Sequence, residues 1–123
     1  MKVLIIEDNE AFGTVLKEEL SDQGFSVKLV KEGGKPAFDA VDSFGPDMII
    51  LDMVLPKMSG LDILKELKSN PKQQSIPVIV LSSIETDENI KSALTLGAVD
   101  YFIKSQHPFK EIVEKIKQHM LAK

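Results

Sequence analysis

Met48-Ile49-Ile50-Leu51-Asp52-Met53-Val54-Leu55-Pro56 is the stretch on which the fold turns. Four apolar residues run into one carboxylate, with Gly45-Pro46 ahead of them and Pro56 and Gly60 behind. A short apolar run bounded by turn residues reads as a strand buried on both faces, the kind that parallel sheets contain. Asp52 then stands at the carboxyl end of a central strand, where open α/β sheets place their ligand sites. Taken alone, an Asp that merely ends a strand is the plainer reading. The rest of the chain has to decide.

Upstream, Val3-Leu4-Ile5-Ile6 is a second buried-type strand, followed at once by Glu7-Asp8. Asn9 or Asp8 caps a helix whose apolar positions Phe12, Val15, Leu16 and Leu20 recur at helical spacing, and Gly24 stops it. Residues 25–30 alternate apolar and polar, which suits a strand nearer the sheet edge. Gly33-Gly34 breaks the chain before a helix with Pro36 in its first turn, running to about Ser43. Downstream of Asp52, Ser59-Gly60 opens a helix with Leu61, Leu64 and Leu67 inward, ended by Asn70-Pro71. Pro77 then opens the run Val78-Ile79-Val80-Leu81, which delivers Ser82-Ser83. Residues 86–96 form a helix packed through Ile90, Ala93 and Leu94 and stopped by Gly97. Residues 99–103 are the fifth strand, ending at Lys104. His107-Pro108 begins the last helix, with Ile112, Val113, Ile116 and Met120 toward the core.

Five strands therefore alternate with five helices. Crossovers of that length require parallel pairing, and right-handed crossovers place helices on both faces. The expected fold is α/β: a five-stranded parallel sheet of order 2-1-3-4-5 in a flavodoxin-like (βα)5 three-layer sandwich. That order brings Glu7-Asp8 beside Asp52, with Ser82 and Lys104 on its other side. Four strand ends converge on one point.

Composition limits what the convergence can be. The chain has 123 residues, 43% of them hydrophobic, enough for one compact domain over residues 1–123. A net charge of -4 offers no footprint for nucleic acid and no polybasic membrane patch. Cysteine is absent, which excludes disulfides and thiolate metal sites. No signal peptide and no membrane span is legible, so cytoplasmic residence is the default expectation.

Three carboxylates crowded at one sheet edge repel, and keeping them ionised at pH 7 calls for a counter-cation. Hard oxygen donors without histidine or thiolate point to Mg2+. A divalent ion beside a carboxylate, a lysine and a hydroxyl makes a site for phosphoryl transfer, because each neutralises or hydrogen-bonds a phosphoryl oxygen. Asp52 is the expected nucleophile, forming an aspartyl phosphate. No evident base is placed to hydrolyse that product quickly. A persistent charge-changing modification is a switch.

These residues resemble the receiver domain of two-component response regulators over residues 2–121. The resemblance rests on Glu7-Asp8 after an apolar strand, on Ile49-Ile50-Leu51-Asp52, and on Pro56 with Gly60. It rests equally on Ser82 after its apolar run, and on Gly97-Ala98-Val99-Asp100-Tyr101 leading to Lys104. It implies a signalling domain, not an enzyme with an external substrate, that takes a phosphoryl group onto Asp52. The donor is the phosphohistidine of a sensor histidine kinase or a histidine phosphotransfer protein. It further implies Mg2+ held directly by Asp8, Asp52 and the backbone carbonyl of Val54, and through water by Glu7. Ser82 turns inward to the phosphoryl group, Lys104 pairs with it, and Tyr101 fills the vacated space. The readout is then the surface of the fourth helix, fifth strand and fifth helix, presented to a downstream protein.

Several positions bear on how closely the chain follows the commonest family pattern. Glu7 replaces Asp, Ser82 replaces threonine, and Ser105 stands where many members have proline. Val54 and Ile84 flank the phosphoryl site with β-branched apolar side chains, unable to orient an attacking water. Read singly, Glu7-Asp8 is equally a capping turn, Lys104 a solvated lysine and Tyr101 a packed aromatic. His107 and His119 read as isolated and either structural or solvent-facing. Flavin binding is disfavoured because Glu-Asp-Asn-Glu follows the first strand where a phosphate-cradling loop is needed. A haloacid-dehalogenase-type phosphatase wants an acid where Val54 stands. The remaining alternative is a degenerate receiver acting as a phosphorylation-independent docking module. The mixed charge of the last helices leaves monomer and weak dimer both open.

Overall fold

The computed structural model describes residues 1–121. Its strands are β1 (Lys2–Ile6), β2 (Ser26–Val30), β3 (Met48–Leu51), β4 (Val78–Ser82) and β5 (Asp100–Ile103). Alternating with them are α1 (Glu10–Asp22), α2 (Lys35–Phe44), α3 (Gly60–Ser69), α4 (Asp87–Thr95) and α5 (Phe109–Leu121). A short 3-10 turn, Lys104–Gln106, joins β5 to α5. The sheet is wholly parallel, in the order β2-β1-β3-β4-β5, as the strand periodicity predicts.

Alternation along each strand divides the core into two layers. Leu4, Ile6, Ile49, Leu51, Val78 and Val80 face α2, α3 and α4, meeting Val41, Ile63, Leu64, Leu67 and Ala93. Val3, Ile5, Ile50, Ile79, Leu81 and Phe102 face α1 and α5, meeting Leu16, Leu20, Ile112, Val113, Ile116 and Met120. β3 and β4 are buried throughout, whereas β2 is exposed or half-buried throughout, as an edge strand should be.

Local chemistry sets the helix ends. Asn9, rather than Asp8, caps α1: its side-chain oxygen accepts from the Phe12 N–H at 3.1 Å. Ser59 caps α3 through the Asp62 N–H at 3.2 Å, and Thr86 caps α4 through Asn89 at 3.4 Å. Gly24 leaves α1 with φ +96°, a conformation that favours glycine.

Several packing expectations fail. In α3 the buried stripe is Gly60, Ile63, Leu64 and Leu67, and Leu61 is only half-buried. That stripe follows the i, i+3, i+4, i+7 rule more closely than a Leu-only reading does. In α4 only Ala93 is fully buried; Leu94 is 45% exposed and Ile90 half-buried. Val15 is also exposed, because α1 buries the Gly13, Leu16, Leu20 side instead. Val99 lies just outside β5 and faces solvent. Neither histidine is isolated: His107 Nδ1 is 3.0 Å from a Glu111 carboxylate oxygen, and His119 Nε2 is 2.9 Å from Asp100 Oδ2. Among the described residues no helix is long and apolar enough to cross a membrane.

Candidate functional site

The register of the sheet builds the site. Ile6 pairs with Leu51, so the residues that follow, Glu7 and Asp52, emerge side by side at the carboxyl end. Backbone bonds carry the ladder one residue further. The Glu7 N–H donates to the Val30 carbonyl at 2.9 Å, and the Asp52 N–H to the Ile6 carbonyl at 3.0 Å. Both carboxylates are thereby held on rigid backbone before any side-chain contact is made. Glu7 and Asp52 are buried while Asp8 is exposed, and oxygens of all three lie within 4.8 Å of one another.

Lys104, at the end of β5, reaches back across the sheet. Its ammonium donates to a Glu7 carboxylate oxygen and lies 3.5 Å from Asp52 Oδ2. The Val54 N–H donates to Asp52 Oδ1 at 3.3 Å, which fixes the carboxylate's rotation, while Val54 itself is 57% exposed. Ser82 is fully buried, and its hydroxyl accepts from the Ile84 N–H at 3.1 Å. The Tyr101 hydroxyl donates to the carbonyl of the same Ile84 at 2.9 Å. Burial pushes the Tyr101 phenol up, against the contact with the Ser82 hydroxyl, so it stays a donor at neutral pH. Glu7, Asp8, Asp52 and Lys104 are therefore brought together, and Ser82 and Tyr101 meet through the backbone of one residue, Ile84. Unexpected from the sequence are the Ser105 hydroxyl on the Glu85 carboxylate at 3.2 Å, and Phe12, whose ring lies beside Lys104.

The electrostatics follow from crowding. Burial pushes the Glu7 carboxyl from an ordinary 4.5 up to about 8; the neighbouring Asp52 carboxyl adds to this and Lys104 opposes it. One lysine does not offset two buried carboxylates. Hard oxygen donors with that unmet charge fit Mg2+, which takes one or two carboxylates directly and keeps several waters.

A pH prediction follows for metal-free protein. Between pH 4.5 and 8 the folded state keeps the Glu7 proton that the unfolded chain has released. Stability from this group is complete below pH 4.5 and is lost as pH rises through that window. The loss is on the order of 5 kcal/mol. In chelator, wild type should lose more thermal stability than Glu7→Gln between pH 5 and pH 8. Parallel losses in the two proteins would contradict the raised carboxyl.

Comparison with known proteins agrees with this geometry. The family model of the response regulator receiver domain matches residues 3–117. The chain belongs to that family. It is 30% identical over 118 residues to the phosphate regulon transcriptional regulatory protein PhoB of Rhizobium meliloti, covering 94% of this chain and 50% of that one. It is 38% identical over 105 residues to the transcriptional regulatory protein QseB of Haemophilus influenzae, covering 85% and 46%. The chain thus spans about half the length of the curated relatives it matches. Among solved structures, the BeF3-activated receiver domain of Klebsiella pneumoniae RstA superposes with TM-score 0.88 at 26% identity, over 98% of each chain. The phosphorylated cyanobacterial phytochrome response regulator RcpA superposes with TM-score 0.85 at 31% identity, over 98% of this chain and 93% of that one. This receiver is a signalling domain of two-component systems.

Proposed function

We propose that this receiver accepts a phosphoryl group on Asp52, in the cytoplasm, from the phosphohistidine of a sensor histidine kinase or histidine phosphotransfer protein. The observation that carries the reading is the buried Asp52 carboxylate, flanked by two further carboxylates within 4.8 Å and by the Lys104 ammonium at 3.5 Å. An Asp52 oxygen attacks phosphorus, the acyl–phosphate bond forms, and the P–N bond to the donor imidazole breaks with its electron pair left on nitrogen. Lys104 neutralises one phosphoryl oxygen, and Ser82 turns from the Ile84 N–H to donate to another. Asp8, Asp52 and the Val54 carbonyl would hold Mg2+, with Glu7 reaching it through water, and the ion would neutralise the remaining oxygens. Tyr101 then exchanges its Ile84 partner for the space Ser82 leaves. The surface of α4, β5 and α5 changes for a downstream protein. The chain's only catalysis is of its own phosphorylation and dephosphorylation.

The test is intact mass after mixing with acetyl phosphate, with and without Mg2+. A single phosphoryl adduct that requires Mg2+ is expected. No adduct from either acetyl phosphate or a phosphorylated histidine donor would favour a docking module instead. The adduct should also last. Val54 and Ile84 carry no group that could orient water, so the label is expected to survive for minutes in purified protein with Mg2+; disappearance within seconds refutes this.

A further inference from the structure

Lys104 has a contact outside the carboxylate cluster. Its ammonium lies 4.5 Å from the centroid of the Phe12 ring, inside the ~6 Å range in which an aromatic face attracts a cation. Phe12 sits in the first turn of α1, and Phe109, in the first turn of α5, backs it. Their ring centroids are 4.7 Å apart with planes at 38°. The ammonium is therefore bounded by Glu7 and Asp52 and also by a π face.

That second boundary differs in kind from the first. A lysine ammonium is a compact charge on a flexible stem, and carboxylates hold it only as strongly as their charge allows. The charge around Asp52 changes whenever a cation or a phosphoryl group arrives. The ring's attraction does not change, because the ring carries no net charge. Phe12 also makes no demand on the ammonium's three N–H groups, which remain for oxygen acceptors.

The geometry points to Phe12 as a positioning residue for Lys104, holding the ammonium beside the acceptor carboxylate while charge at Asp52 changes, with Phe109 as its backing. This rests on the phosphoryl-acceptor reading. Phe12→Leu keeps apolar volume and removes the π face, whereas Phe12→Tyr keeps the face. Two measurements decide. The Lys104 ε-methylene proton resonances, observed by NMR, should be shifted upfield by the ring in wild type and Phe12→Tyr and not in Phe12→Leu. Single-turnover phosphorylation by acetyl phosphate in Mg2+ should slow about five-fold in Phe12→Leu and recover in Phe12→Tyr. Mg2+ affinity should be unchanged, since Phe12 is none of the proposed ligands; a merely structural loss would loosen the ligand set as well. Absence of the upfield shift in wild type overturns the proposal, as does an equal phosphorylation rate in Phe12→Leu. A wild type that takes no phosphoryl group removes the underlying reading and the proposal with it, a result distinct from an unchanged variant rate.

Discussion

Asp52→Asn is expected to abolish the phosphoryl adduct completely and, in metal-free buffer, to give a more stable protein. The first effect needs only chemistry: an amide oxygen is too weak a nucleophile toward phosphorus, and no neighbouring carboxylate is held in the same place. Glu7 is committed to Lys104, and Asp8 is exposed. The second effect comes from crowding. The asparagine oxygen can keep the Val54 N–H that Asp52 Oδ1 accepts at 3.3 Å. Its amide nitrogen then offers Glu7 a donor, where the Asp52 carboxylate otherwise favours the neutral form of Glu7. Glu7 loses the neighbour that helps to push it up to about 8, and keeps Lys104. A gain of about 1–2 kcal/mol is expected from removing a buried like-charge neighbour, since groups kept for function are often kept against stability. Denaturant unfolding in chelator reads it, and Mg2+ should shrink the gap because the variant has lost a ligand. An Asp52→Asn protein less stable than wild type in chelator would overturn the crowding account.

How far the site was legible in the sequence depends on the scale of the feature. Strand order is legible because Ile6, Leu51, Leu81 and Ile103 end apolar runs separated by helix-length crossovers, and parallel sheets leave few ways to connect them. Glu7, Asp8, Asp52, Ser82 and Lys104 inherit their convergence from those ends. Side-chain partners are not legible in the same way. His119 looks alone in the chain, yet α5 returns across the sheet and sets it 2.9 Å from Asp100, 19 residues earlier. Phe12 reads as one more core position of α1, and only the fold shows that its ring faces a lysine 92 residues later in the chain. Exposed Leu94 shows the converse. Helical spacing marks it as apolar, but α4 buries only Ala93, and periodicity does not report how deeply a helix is seated.

Close backbone approach is the least legible feature, and it gives the second large prediction: Gly60→Ala should damage the site and the fold together. Ser59-Gly60 reads in the sequence as an ordinary helix start. In the fold, the first residue of α3 is pressed against the segment that carries the acceptor. A Cβ on Gly60 would meet the Asp52 carbonyl oxygen at 2.2 Å, the Met53 Cα at 2.6 Å and the Asp52 carbonyl carbon at 2.9 Å. All three are backbone atoms, so no side-chain rotation relieves the clash. The Gly60 N–H also donates to the Met53 carbonyl at 2.9 Å, tying α3 to the loop it would have to leave. Either α3 lifts away, opening the layer that holds Ile63, Leu64 and Leu67, or Asp52 shifts out of line with Glu7 and Lys104. Overpacking against rigid backbone costs about 3 kcal/mol or more. Gly24→Ala supplies the control. Its φ of +96° disfavours a side chain, but nothing lies within 4 Å of the added methyl, so only the left-handed conformation is penalised, at about 1 kcal/mol. The expected result is a Gly60→Ala protein several-fold further destabilised than Gly24→Ala in denaturant unfolding, with phosphorylation reduced even in its folded fraction. Comparable stability in the two variants would mean that α3 can move away from Asp52 at little cost, and that its packing does not hold the acceptor in place.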